Sequence, residues 1–167
     1  MKDKYKHLLN FTANIISLAV EAAMFGWVWY MLYIPMLDKA NTFFNRGNWA
    51  VIGMYVLFVF FFTKIFGGYR IGYMRISDII LSQILAVILA MIVAYFEICL
   101  VANDYLPPQP LLLMTVTEII FIVPWVVLVR KAYTRLYPPR QMLVIYGNYS
   151  PDDLIAKINT RKDKYNI

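Results

Sequence analysis

One cysteine, Cys99, and one histidine, His7, stand among 167 residues. A single thiol cannot close an internal disulfide, and neither residue type is numerous enough for a metal cluster. Glycine is missing where a nucleotide loop would need it. The turn at 147–151 reads Gly-Asn-Tyr-Ser-Pro, with one glycine and no second or third. Charge is scarce too: Asp, Glu, Lys and Arg make up 16% of the chain, against about a quarter in soluble domains. The long apolar runs contain no Lys, Arg or His except Lys64, at a margin. No nucleophile triad, catalytic carboxylate pair or metal spacing can be assembled. The sequence therefore assigns no catalytic, cofactor-binding or metal-binding residue.

What is abundant is apolar side chain. Hydrophobic residues reach 61% and aromatics 17%, and the mean hydropathy is +0.59. These values place the chain among integral membrane proteins. Apolar runs predict four spans at about 8–33, 49–66, 79–100 and 111–129. The first, at 1.5 Å per residue, reaches about 39 Å, more than the roughly 30 Å of bilayer hydrocarbon. It is too long for a signal peptide core, and no cleavage site follows, so it reads as a retained span closed by Pro35. Ser77 or Asp78 is the expected cap of the third span. Asn103 to Pro110 is a break between spans three and four, and Pro124 should kink the fourth.

The net charge of +6 reads as topology rather than nucleic-acid binding, because the basic residues flank the runs. Lys2, Lys4, Lys6, Lys64, Arg70, Arg75, Arg130, Lys131, Arg135 and Arg140 fall on one side, and Lys39 and Arg46 on the other. Both termini are thus expected in the cytoplasm. Arg70, Arg75, Arg130, Lys131, Arg135 and Arg140 are the candidate contacts to anionic lipid.

Three carboxylates lie within spans: Glu21, Glu97 and Glu118. Burying charge there is costly. Two readings are open. The trio lines a polar pocket that holds a lipid-linked group or relays protons. Or each faces a neighbouring helix and bonds Asn14, Ser17, Thr115, Thr117 or a tyrosine hydroxyl. Ser82, Ala86, Ala90 and Ala94 recur every four residues on span three, and Ala19, Ala22, Ala23 and Gly26 form similar steps on span one. Small residues at this spacing let helices approach closely, so spans one and three are expected to pack together.

After Tyr137 the character changes. Residues 141–146 read as a buried strand. Ser150-Pro151-Asp152-Asp153 reads as a helix start, and Tyr165-Asn166-Ile167 as a second strand. The expected fold is an all-α membrane protein: a four-transmembrane-helix bundle over residues 1–136. The start of a truncated β-α-β, Rossmann-like cytosolic domain follows over residues 137–167.

Four spans with both ends inside, GGYRIGYMRISD between spans two and three, RKAYTRLYPPR after span four, then QMLVIYGN and INTRKDKYNI: together these resemble the N-terminal part of a bacterial polyprenyl glycosylphosphotransferase. That family moves hexose-1-phosphate from a nucleotide sugar to undecaprenyl phosphate, using magnesium, at the start of capsule and exopolysaccharide assembly. The resemblance implies residence in the bacterial cytoplasmic (inner) membrane. It also implies that the catalytic domain, with its Mg, its nucleotide sugar and its polyprenyl phosphate, is absent from this chain, which should be inactive alone. The expected partners are the lipid bilayer and a second copy of the chain, with no nucleic acid. A membrane nucleotide-sugar dehydratase or epimerase resembles the same layout, and a stand-alone four-helix scaffold or small transporter is the third reading. A reporter inserted after Asn103 should be reachable only from outside the cell, and one fused at Ile167 only from inside. Sided labelling of intact cells checks both.

Overall fold

The computed structural model describes residues 2–37, 45–71, 74–136, 140–141, 155 and 165–166, with side chains described within 8–37, 47–71 and 74–136 and at Ile155. Four long helices dominate: α1 Lys2–Val28, α2 Asn45–Ile65, α3 Ile76–Ala102 and α4 Gln109–Leu136. The stretches Leu8–Met36, Gly47–Ile65, Ile76–Ala102 and Gln109–Leu136 are each long and apolar enough to cross a bilayer. The chain is a multi-pass membrane protein, in which backbone polar groups must be satisfied inside helices.

The helices run up and down in a ring. α1 packs on α2 and α4, and α3 packs on α2 and α4. The expected contact between spans one and three is therefore replaced by a diagonal across the bundle. The reason is bulk. Phe25 and Trp29 of α1 and its extension, and Tyr55 of α2, fill the centre, and short connections favour sequence neighbours. The small face of α3 is buried as expected, with Ser82, Ala86, Ala90 and Ala94 all inward. On α1, by contrast, Ala19 and Ala23 are exposed, and Gly26 lies against Ile52 of α2.

α1 does not stop before Pro35. It passes into a π turn, Trp29–Tyr33, and then a tight 3-10 turn, Ile34–Met36. Leu37 then turns extended, at ψ 131°. Proline is tolerated at the start of the 3-10 turn because its missing N–H has no required partner there. Buried residues of α1 and its extension recur every four positions: Ala13, Ser17, Glu21, Phe25, Trp29, Tyr33 and Leu37.

Each end of the bundle is tied by polar groups. At one end Trp29 Nε1 donates to Asn48 Oδ1 (3.2 Å). There, too, the Tyr33 and Tyr95 hydroxyls donate to the carbonyls of Pro107 (3.0 Å) and Leu106 (3.1 Å). Asn103 ends α3 in the left-handed region, φ 54°, a conformation asparagine tolerates. At the other end the connection from α2 to α3 folds back into the bundle. Gly67, at φ +76°, turns the chain. Gly68 packs so closely that a Cβ there would meet Thr63 Cγ2 at 2.9 Å and Gln83 Cγ at 3.0 Å. Ile71 is buried in a second core layer with Ala13, Ile79, Val126 and Val129.

α3 begins without a side-chain cap. Arg75 occupies the N-cap position, and Ser77 and Asp78 sit within the first turn. Asp78 there acts on the helix dipole instead of capping an amide. α4 continues through Pro124, which is exposed on the outer face. Beyond α4, Arg140–Gln141 (β1) pairs in parallel with Tyr165–Asn166 (β2), and Ile155 between them is helical. No β-α-β domain is contained in the described residues, and most of the expected strand at 141–146 and the turn at 147–151 lie outside them.

Ala90 is fully buried and Ala19 exposed. Ala90→Leu should therefore cost about 1–3 kcal/mol by overpacking, and Ala19→Leu close to nothing. Thermal unfolding in detergent reads the difference.

Candidate functional site

The most buried carboxylate in the bundle is Glu118, on α4, at 0% exposure. It lies on the inner stripe Leu111, Met114, Glu118, Ile122 and Val126, about 14 Å along the helix from Gln109 at 1.5 Å per residue. Its partner comes from α2. The Tyr55 hydroxyl lies 2.8 Å from Glu118 Oε1 and 2.9 Å from Oε2, so a single O–H donates between the two oxygens. The Tyr55 ring stacks on Phe25 of α1, with centroids 4.2 Å apart and planes 7° from parallel. One tyrosine thus joins α1, α2 and α4.

Glu21 of α1 is 5% exposed and accepts a hydrogen bond from Ser17 one turn earlier (3.2 Å). It lies within electrostatic reach of both Tyr55 and Glu118. It also lies within reach of Tyr69, on the connection between α2 and α3. Tyr69 sits against the Thr63 side chain, and its ring tilts against Phe60 at 5.7 Å. Burial pushes its hydroxyl up to about 12, with the charge on Glu21 adding and Thr63 opposing. Tyr69 therefore remains a hydrogen-bond donor throughout the physiological range. The structure brings Glu21 and Glu118 together around Tyr55. Glu97 stands apart on α3, half-buried, with its Oε2 shut from solvent and without a hydrogen-bond partner.

The basic residues divide. Arg70, Arg75, Lys131 and Arg135 are exposed at the end where the α2–α3 connection lies. Arg130 departs from the expected lipid-facing set. It is 5% exposed, because it extends the buried stripe of α4 past Val126 and Val129. Arg140 forms part of β1. Among the described residues, no group of three or more His, Cys, Asp and Glu could hold one metal ion.

The expected bonding of the carboxylates to Ser17 and to a tyrosine hydroxyl is seen at Glu21 and Glu118. Three features were not anticipated from sequence: which tyrosine serves Glu118, the amide of Gln83, and the docking of residues 67–71 into the bundle. Tyr55 carried a signal, since Val51, Tyr55, Val59 and Thr63 form a buried four-residue stripe. An apolar groove of about 550 Å³ also opens between α1 and α4, bounded by Met24, Trp27, Val28, Leu113 and Met114.

No family model matches the chain. No curated protein and no solved structure matches it either.

Tyr55→Phe should lower stability by about 1–2 kcal/mol, because it strips the buried carboxyl of its donor. Combined with Glu118→Gln, the losses should fall short of additive by about 1 kcal/mol. A double-mutant cycle in detergent measures that coupling, and strict additivity would argue against a direct bond.

Proposed function

We propose that this chain is the membrane-anchoring region of an enzyme working on a membrane surface. In this reading its catalytic module is a sugar transferase that moves hexose-1-phosphate from a nucleotide sugar to undecaprenyl phosphate. The observation that carries the anchoring half is the layout. Four apolar helices are followed directly by a parallel strand pair, Arg140–Gln141 with Tyr165–Asn166. Parallel strands need a crossover connection. With helical Ile155 between them, the order strand, helix, strand supports reading residues 137–167 as the start of a β-α-β unit. By the positive-inside rule the basic end of the bundle faces the cytoplasm, where nucleotide sugars are found. The exposed Arg70, Arg75, Lys131 and Arg135 hold the soluble unit to an anionic surface, each worth about 1 kcal/mol.

The transferase half rests on the resemblance in the hairpin, the basic stretch after α4 and QMLVIYGN. Magnesium, nucleotide sugar and lipid phosphate belong to the catalytic module, not to the bundle. The test is transfer of labelled sugar phosphate from nucleotide sugar to polyprenyl phosphate. The purified 167 residues should show none, and the product of the full coding frame should show transfer. Transfer by the 167 residues alone overturns the proposal. So does a frame that continues into a dehydratase.

A further inference from the structure

Two buried acceptors at the basic end of the bundle lack partners: Gln83 Oε1 and Asn10 Oδ1. Neither amide is free to turn round. Gln83 Nε2 donates to the Gly68 carbonyl (3.2 Å) and Asn10 Nδ2 to the Ile71 carbonyl (2.7 Å). Flipping either would set oxygen against oxygen. Gln83 is 4% exposed. An unmet buried acceptor costs about 1–3 kcal/mol, and a polar site of this kind ordinarily holds water.

The two orphans mark the start of a polar line. Gly68, held by Gln83, donates its N–H to the Thr63 carbonyl (2.9 Å). Tyr69 sits against the Thr63 side chain and within electrostatic reach of Glu21. Ser17 bonds Glu21, and Glu21 lies within reach of the Tyr55–Glu118 pair. Thr63 and Ser17 are both buried. The opposite end is closed differently. Trp29, Tyr33, Leu37, Ile98 and Leu111 pack together there, and the polar atoms of Trp29 and Tyr33 are satisfied by Asn48 and Pro107.

We propose that water enters the bundle from the basic end alone, beside the connection at residues 67–71. It keeps Glu21 in proton exchange with that aqueous phase and not with the other. The site's ligands are water and the proton. Among the described residues, the titratable or charged groups around this route are Glu21 on α1, Tyr55 on α2, Tyr69 and the exposed Arg70 on the connection, the exposed Asp78 at the start of α3, and Glu118 and Arg130 on α4. Deeper in the bundle α3 contributes the neutral Gln83 and its small side chains. The inference does not depend on the transferase reading.

The test uses the full chain with Cys99→Ser, carrying Ser17→Cys, Thr63→Cys or, as a lipid-facing control, Val123→Cys. An impermeant cationic methanethiosulfonate is added to right-side-out or inverted vesicles. Only a hydrated thiol ionises and reacts. Both buried positions should label from the basic face roughly tenfold or more faster than the control, and from the opposite face no faster than it. Adding Gln83→Leu, which removes one orphan acceptor, should slow labelling at Ser17→Cys several-fold. Three results overturn the proposal: labelling no faster than the control, faster labelling from the opposite face, or labelling at Thr63→Cys without Ser17→Cys. The last would stop water short of Glu21.

Discussion

A carboxyl group at the centre of a bundle set in hydrocarbon has no solvent to turn to, and Glu118 turns to Tyr55. That one reach constrains much else. Tyr55 can place its hydroxyl between the oxygens of Glu118 only if α2 and α4 face each other across the centre. Its ring then lies flat on Phe25, which fixes the rotation of α1. With Trp29 and Tyr33 stacked below in the same column, the middle is too full for α1 and α3 to touch closely. The small residues of α3 accordingly admit α2 and α4.

The connections repeat the same logic. The α2–α3 and α3–α4 connections pass where side chains can meet their backbone carbonyls: Tyr33 and Tyr95 at one end, Asn10 and Gln83 at the other. Each of these side chains sits on a helix, so each loop is clamped by elements that cannot easily move. The connection between α2 and α3 goes further. It contributes Ile71 to the core, so it is a packed part of the bundle and not a surface link.

The four spans were legible in the sequence because length and hydropathy alone decide them. Most helix ends run past the expected bounds, α4 reaching Leu136 where 129 was expected, since apolar content marks the hydrocarbon and not where backbone bonding ends. The inward face of α3 was also legible, because small residues at a fixed spacing have a clear purpose. Which helix it faces was not. That depends on the volumes of Phe25, Trp29 and Tyr55, which lie far apart in sequence. Glu21 and Glu118 could be suspected singly, but their convergence on Tyr55 is a fact of ring order. Arg130 was misjudged for a related reason. A cation just past an apolar run reads as a surface residue, yet its place on the stripe of Val126 and Val129 turns it inward. The expected cap at Ser77 or Asp78 missed Arg75 by two or three residues, close to the normal uncertainty of helix ends.

The column Ala13, Ser17, Glu21, Phe25, Trp29, Tyr33 and Leu37 keeps a strict step of four. Four residues turn an α-helix about 40° beyond a full circle, so the column drifts steadily round the helix axis. A repeat longer than 3.6 winds neighbours in the right-handed sense, opposite to a heptad coil. The buried step of four on α2, from Val51 to Thr63, has the same drift. The π turn at Trp29–Tyr33 uses more residues per turn and so cancels part of that lag, keeping Tyr33 and Leu37 on the inward side. The buried spacing of α1 and α2 thus favours a right-handed wrap of these two helices, and the irregular turn is what lets that spacing continue to Leu37.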